Sequence, residues 1–284
     1  MCKAFPFIAA MFVLIVTTGT FNAFTVRRLL EDKSFNFIPI VVISEIVFIF
    51  TLLNFLQTAF TDPGVLQKEN EEESDNDFHT PLFKNVIINN MTVRLKYCDT
   101  CQFYRPPRTS HCSMCNRCIE NFDHHCPWVN NCVGRRNYRF FFCFLMWLSL
   151  HIVLTLSLCI FRCATVRPLW SDIPSLIVAI VCFLTVFPII GLLSFHIALI
   201  KMGLTTNEQV THKFSGSDNP YTHGCAKNFI NLFCKAKPLR YLGYKEMCNT
   251  KPRLPFFRRE HGYKLQPNED NVSEYSLQVE NTDV

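Results

Sequence analysis

Residues 98–132 read CDTCQFYRPPRTSHCSMCNRCIENFDHHCPWVNNC. Seven cysteines stand in this window, Cys98, Cys101, Cys112, Cys115, Cys118, Cys126 and Cys132, with three histidines, His111, His124 and His125. The Cys-x2-Cys spacings at 98/101 and 112/115/118 are those of tight turns that bring two sulfurs onto one metal ion. Arg105-Pro106-Pro107-Arg108 separates the two groups, and its prolines stiffen the connection. So few aliphatic residues cannot build much of a core, so metal binding has to supply the folding free energy, on the order of 10 kcal/mol per site. Two tetrahedral zinc sites take eight ligands, and ten candidates leave two over. The surplus sits best in Asp123-His124-His125-Cys126, where a thiol, imidazoles and a carboxylate stand side by side. A spare cysteine next to a spare histidine is a candidate nucleophile with its base. The spacing alone leaves open which of His124 and His125 is the ligand.

The rest of the chain is that of a membrane protein. It has 284 residues, of which 49% are hydrophobic, and a mean hydropathy of +0.14. Fifteen cysteines could form a disulfide scaffold, but crowded Cys-x2-Cys pairs read better as metal ligands in a reducing compartment. A net charge of +5 without one dense basic patch argues against nucleic-acid binding. Four stretches are long and apolar enough to cross a bilayer: about 5–24, 37–60, 138–161 and 173–200. Pro188 and Gly191 are expected to bend the last. No small-residue cleavage site follows the first stretch, which reads as a span and not as a cleaved leader. His151 falls inside the third span, roughly 20 Å from its start at about 1.5 Å per residue. It and Glu45 are ionisable groups at membrane depth.

Lysine and arginine set the orientation. They are dense in 61–139 and after Ile200, and only Arg162 and Arg167 stand in the 162–172 hinge. Both termini and the Cys/His window are therefore expected on the cytosolic side. Arg27, Arg28 and Lys33 oppose this for the first span, where only Lys3 precedes it. The organisation expected is an all-α membrane protein with a two-zinc domain between helices 2 and 3. It comprises a transmembrane hairpin at 1–60, a cytosolic linker at 61–97 with an acidic run at 67–80, and the cysteine-rich domain at 98–137. A second hairpin follows at 138–200, then a cytosolic element at 201–264, where 226–240 suits a helix in the membrane interface, and a disordered tail at 265–284.

From Cys98 to Phe141 the order is Cys-x2-Cys-x3-Arg-Pro-x-Arg-x2-His-Cys-x2-Cys-x2-Cys-x4-Asp-His-His-Cys-x5-Cys-x4-Asn-x3-Phe. This resembles the DHHC protein S-acyltransferases, or palmitoyltransferases. Asp62-Pro63-Gly64, Thr205-Thr206-Asn207-Glu208 and the stretch from Asn219-Pro220-Tyr221 through Gly224 to Asn228 are also similar to that family's accessory motifs. The resemblance covers roughly 5–235. It implies that Cys98, Cys101, His111 and Cys118 bind one zinc ion, and Cys112, Cys115, His125 and Cys132 the other. Cys126 is then the acyl-carrying nucleophile, His124 its base, and Asp123 the group that orients His124. Free cysteine thiols titrate near 8.5, so attack near neutral pH calls for such a base. The implied reaction moves a long-chain acyl group from palmitoyl-CoA to Cys126, and then to a cysteine of a substrate protein at the cytosolic membrane face. Thr206, Glu208 and Asn228 are implied braces.

Arg135, Arg136 and Arg139 stand just before the third span, where they suit CoA phosphates or lipid headgroups equally. The end Thr282-Asp283-Val284 suits a partner whose groove captures a C-terminal carboxylate, though three residues also match by chance. Spans of this length fit Golgi, endoplasmic reticulum or plasma membrane. The rival readings are a non-catalytic zinc-binding membrane adaptor and a RING-type ligase, whose ligand order and longer central spacing differ.

Overall fold

The computed structural model describes residues 4–33, 35–66, 82–89, 91–165, 172–214 and 219–234, and the backbone of 263–267 and 275–279. The acidic run 67–80 and the end Thr282-Asp283-Val284 lie outside the described residues. The chain divides into two compact units. One comprises Met1–Thr61, Cys126–Asn131 and Asn137–Leu199; the other comprises Asp62–His125, Cys132–Arg136 and Ile200–Val284.

The first unit is helical. Four helices are long and apolar enough to cross a membrane: α1 (Phe5–Glu31), α2 (Ile38–Phe60), α3 (Tyr138–Thr165) and α4 (Ile173–Met202). Proline in the first turn of α1 and α2 fits a position that needs no backbone donor. The amide of Ile38 at the head of α2 donates to Asn36 Oδ1 at 3.1 Å. α4 continues through Pro188. Phe21, Leu29, Phe37, Ile152, Cys159, Val178 and Val186 form the packed core. Phe12, Leu184 and Phe187 stay exposed, as helices that are apolar all round do when they face lipid.

Some of the polar groups buried inside this unit bond back to their own helix, as Thr51 and Ser149 do, and others pair across helices. Thr18 Oγ1 on α1 lies 3.0 Å from His151 Nε2 on α3. Residues Phe21–Val26 of α1 form a π-helical turn, in which Thr25 Oγ1 lies 2.8 Å from Ser175 Oγ on α4. At that end of the bundle Arg162 Nε donates to Asp172 Oδ2 at 3.0 Å, and Arg28 Nη1 lies 3.5 Å from the same oxygen. Arg27 pairs with Glu31 at 3.2 Å. Two of the three cations that oppose the charge bias of the first span thus have carboxylates beside them, which removes much of their cost at a membrane boundary.

The second unit is built of short strands. The segment expected as a linker carries a hairpin, β1 (Phe83–Ile88) and β2 (Met91–Cys98), paired from Phe83↔Lys96 to Ile88↔Met91. Val86, Ile88, Val93 and Leu95 are buried and alternate with the exposed Ile87 and Arg94, the period of a half-buried sheet. Asn89 turns the chain at φ 48°. β3 (Phe103–Tyr104) pairs with β2. Two hairpins follow: β4 (Ser110–Cys112) with β5 (Arg117–Ile119), and β6 (His124–Cys126) with β7 (Asn131–Val133).

The tail expected to be disordered from 265 holds β9 (Tyr275–Val279), and β8 (Tyr263–Pro267) straddles its start, giving the sheet order β3-β2-β1-β9-β8. β9 runs parallel to β1, with Val86↔Tyr275 and Ile87↔Ser276. The alternation Tyr-x-Leu-x-Pro and Tyr-x-Leu-x-Val is strand-like despite the polar surroundings. The edge of β1 also offers backbone groups that need partners.

Two links tie the second unit together. Asp62 Oδ1 accepts from the amides of Gly64 (2.9 Å) and Val65 (3.0 Å), and the Gly64 carbonyl accepts from Glu120 N at 2.9 Å. Gly64 has φ +106°, and at Gly134 an added Cβ would lie 2.6 Å from the Pro63 carbonyl oxygen. Asp62-Pro63-Gly64 is therefore a strap that the backbone at 134 must approach closely.

Candidate functional site

Two sets of four donors converge in the second unit. Cys98, Cys101, His111 and Cys118 form one, and Cys112, Cys115, His125 and Cys132 the other, with the donor atoms of each set all within 4.8 Å of one another. Strand geometry explains the interleaving, because neighbouring residues on a strand point to opposite faces. His111 and Cys112 are consecutive on β4 and enter different sets. His111 pairs across the hairpin with Cys118, its partner in the first set.

The same alternation brings His125, and not His124, among the sulfurs of the second set. His125 Nδ1 lies 3.4 Å from Cys115 Sγ and 3.5 Å from Cys132 Sγ. His124 Nδ1 instead donates to Asp123 Oδ2 at 2.7 Å.

The donor sets fit zinc. A tetrahedral ion with sulfur at about 2.3 Å and nitrogen at about 2.0–2.1 Å has ligand–ligand edges of roughly 3.5–3.8 Å. In the first set Cys98–Cys118 measures 3.5 Å, Cys98–His111 3.6 Å, Cys101–His111 3.5 Å and Cys118–His111 3.8 Å. In the second, Cys115–Cys132 measures 3.5 Å.

The electrostatics agree. Burial, and then the neighbouring sulfurs, push the thiols of Cys118 and Cys132 well above the usual range. Sulfurs this close cannot all ionise without a cation among them. Burial, and then the charge of His124, lower His125 towards the neutral form that binds metal.

Asp123 is 2% exposed and fully engaged. Besides His124, its Oδ2 accepts from Thr206 Oγ1 at 2.7 Å and its Oδ1 from the Thr206 amide at 2.8 Å. That amide opens the short helix α5 (Thr206–Val210), capped reciprocally by Thr205 and Glu208. Glu208 in turn holds Arg108, whose Nε and Nη2 donate to its two oxygens at 2.9 and 2.6 Å. Arg108 Nη2 also donates to the Gly203 carbonyl at 2.9 Å, and its guanidinium lies 4.8 Å from the Tyr221 ring centre. The fixed carboxylate holds the His124 ring with Nδ1 as donor and the basic lone pair on Nε2.

In the other unit Cys126 is 8% exposed. It ends β6 and leads into a 3-10 turn, Pro127–Val129.

The three arginines expected to face phosphate differ in their commitments. Arg135 forms an ion pair with Glu120. Arg136 Nε lies 4.0 Å from Asp62 Oδ2. Arg139, in the helical unit, lies over the Phe140 ring at 4.8 Å, and has no carboxylate opposite it among the described residues. The structure thus reduces three expected anion-facing cations to one without an acidic partner.

Asn228, expected as a brace, donates from Nδ2 to the Lys201 carbonyl at 3.2 Å. It lies on α6 (Cys225–Cys234). Arg108, which spacing did not single out, joins Glu208 to the Gly203 carbonyl.

Comparison with known proteins places this arrangement. Residues 91–213 match the family model described as DHHC palmitoyltransferase. The chain is 45% identical over 259 residues to palmitoyltransferase ZDHHC5-B of Danio rerio, covering 89% of this chain and 39% of that protein. It is 45% identical over 265 residues to palmitoyltransferase ZDHHC5 of Rattus norvegicus, covering 91% and 36%. With palmitoyltransferase ZDHHC8B of Danio rerio it shares 46% over 246 residues, covering 84% and 32%. The chain spans about a third to two fifths of the length of these relatives.

Proposed function

We propose that this chain, whose residues 91–213 match the DHHC palmitoyltransferase family model, is a protein-cysteine S-palmitoyltransferase of that family working in two steps. His124 Nε2 takes the proton of Cys126, whose sulfur attacks the thioester carbonyl of palmitoyl-CoA. CoA leaves as its thiolate and collects that proton. A substrate cysteine then gives its proton to His124 and attacks the acyl-Cys126 thioester, and Cys126 leaves as the thiolate. The observation that carries this reading is the commitment of His125 to a metal set while His124 is held by Asp123. His124 and Cys126 are the first and third residues of one strand, and residues two apart on a strand share a face. Asp123 orients the imidazole and stabilises its cationic form, as the carboxylate of a triad does.

Zinc, held by the two Cys3His sets, supplies structural closure, since four protein ligands leave no open position. The acyl chain is read as lying among the four apolar helices. The CoA phosphates are assigned to Arg139 first, with the donors of Arg135 and Arg136 left over from their carboxylates secondary. The metal-binding unit and both termini are assigned to the cytosolic face of the Golgi, endoplasmic reticulum or plasma membrane. The end Thr282-Asp283-Val284 is assigned to a carboxylate-capturing partner.

The test is incubation of the purified chain with labelled palmitoyl-CoA, followed by neutral hydroxylamine. The expected result is a hydroxylamine-labile label on wild type and none on Cys126→Ser, with two zinc ions retained in both. A label absent from wild type, or kept in Cys126→Ser, overturns the reading and leaves a zinc-binding membrane adaptor.

A further inference from the structure

Helix α2 ends without the usual cap. Its C-cap, Thr61, is extended at φ −80°, ψ 134°, and its amide satisfies only the Gln57 carbonyl. Helices commonly end on a left-handed residue whose amides satisfy the last carbonyls, and here those carbonyls need other donors. The side chain of Asn131 supplies them. Its Nδ2 lies 3.2 Å from the Thr58 carbonyl oxygen, 3.0 Å from that of Ala59 and 2.9 Å from that of Thr61. Asn137 Nδ2, fully buried, adds a second bond to the Thr58 carbonyl at 3.1 Å.

Asn131 is also the far end of the segment that begins at Cys126. Between them lie the 3-10 turn Pro127–Val129 and Asn130, left-handed at φ 50° with its amide bonded to the Pro127 carbonyl at 3.1 Å. Val129 is 1% exposed, and the turn packs on α1 and α2. Pro127 and the closed turn leave this stretch little freedom, so a displacement at Asn131 is passed to Cys126.

We infer that Asn131 is a positioning residue: by donating its amide to the open carbonyls of α2, it sets the depth of Cys126 relative to the helices that hold the acyl chain. The inference rests on the acyl-transfer reading above. It predicts a dependence on the donor, because a sulfur at the wrong depth fails against a chain anchored in the bundle, yet still reacts with a small free reagent. It also predicts an inverted order of substitutions. Asn131→Asp keeps the shape but turns a carboxylate towards carbonyl oxygens at the negative end of a helix, so it should be worse than Asn131→Ala.

The experiment uses the full chain in detergent. The rate of Cys126 acylation by palmitoyl-CoA is set beside the rate of Cys126 alkylation by iodoacetamide, read by mass spectrometry, with zinc content measured in each variant. Asn131→Ala should lose about tenfold or more with palmitoyl-CoA, since a misplacement on the order of 1 Å can cost about 100-fold. Alkylation should stay within about twofold or rise, two zinc ions should remain, and Asn131→Asp should lose more than Asn131→Ala. The inference is overturned if Asn131→Asp is the milder change, if both reagents slow equally, if palmitoylation is unaffected, or if zinc is lost, which would place the role of Asn131 at its neighbour Cys132. An unlabelled wild type defeats the acyl-transfer reading itself, and this inference with it. A labelled wild type with unaffected variants removes only the role of Asn131.

Discussion

The two Cys3His sets have the same donors and hold different things. The first gathers residues 98 to 118, and fastens the β1–β2 hairpin to the β4–β5 hairpin. The second gathers residues 112 to 132, and two of its ligands, His125 and Cys132, lie on either side of Cys126 in the chain. Identical donor chemistry therefore has unequal leverage on the sulfur proposed to react. The first set can loosen while β6 and β7 keep their places; the second cannot. A metal site's importance to function is read from what its ligands are attached to, not from its affinity.

Four substitutions can break or sharpen this contrast. The largest effect is expected of Cys132→Ala, which should lose one zinc ion and lower Cys126 acylation at least about 100-fold, as a loss of reacting geometry does. Zinc analysis beside a single-turnover acylation assay would check both. Asp123→Asn comes next. It should keep both zinc ions but remove the acceptor that holds Nδ1–H of His124, slowing acylation roughly 100-fold. The corresponding change in a serine protease triad costs about 10,000-fold, and a thiol depends less on its base. Cys98→Ala should lose the first zinc ion while costing acylation only about tenfold; a loss equal to that of Cys132→Ala would refute the unequal leverage argued here. The smallest effect is expected of Glu208→Gln. It weakens a pair that is buried on the glutamate side and partly exposed on the arginine side, costing the strand-built unit about 2 kcal/mol. Hydrogen exchange should speed up first in 108–112 and 203–210.

Much of this was legible along the chain. The four apolar stretches become α1 to α4 with shifted ends, because hydropathy over about twenty residues is a local quantity. The first helix runs on to Glu31, since Arg27 and Arg28 find carboxylates. The β1–β2 hairpin was also written in the sequence, as alternation from Val86 to Leu95 around an asparagine turn, although its charged flanks suggest a linker. The strand at 275–279 is different: its alternation is short, and only the open edge of β1 gives it a place. The arginines before α3 look alike in sequence. Glu120 and Asp62, which distinguish them, are set beside Arg135 and Arg136 by the fold.

The amino-acid order by itself determined how many metal donors there are, that one thiol and one imidazole are in surplus, and that four helices can cross a membrane. These follow from residue types and spacings over short distances. The tertiary structure decided, where spacing could not, that His125 joins a donor set and His124 turns to Asp123, that Thr206 completes the surroundings of Asp123, and that Asn131 bonds to the end of α2. The reason is that a strand sends neighbouring side chains to opposite faces, and a hydrogen bond is fixed by the group that arrives opposite it. That group lies eighty-three residues away for Asp123 and seventy or more for Asn131.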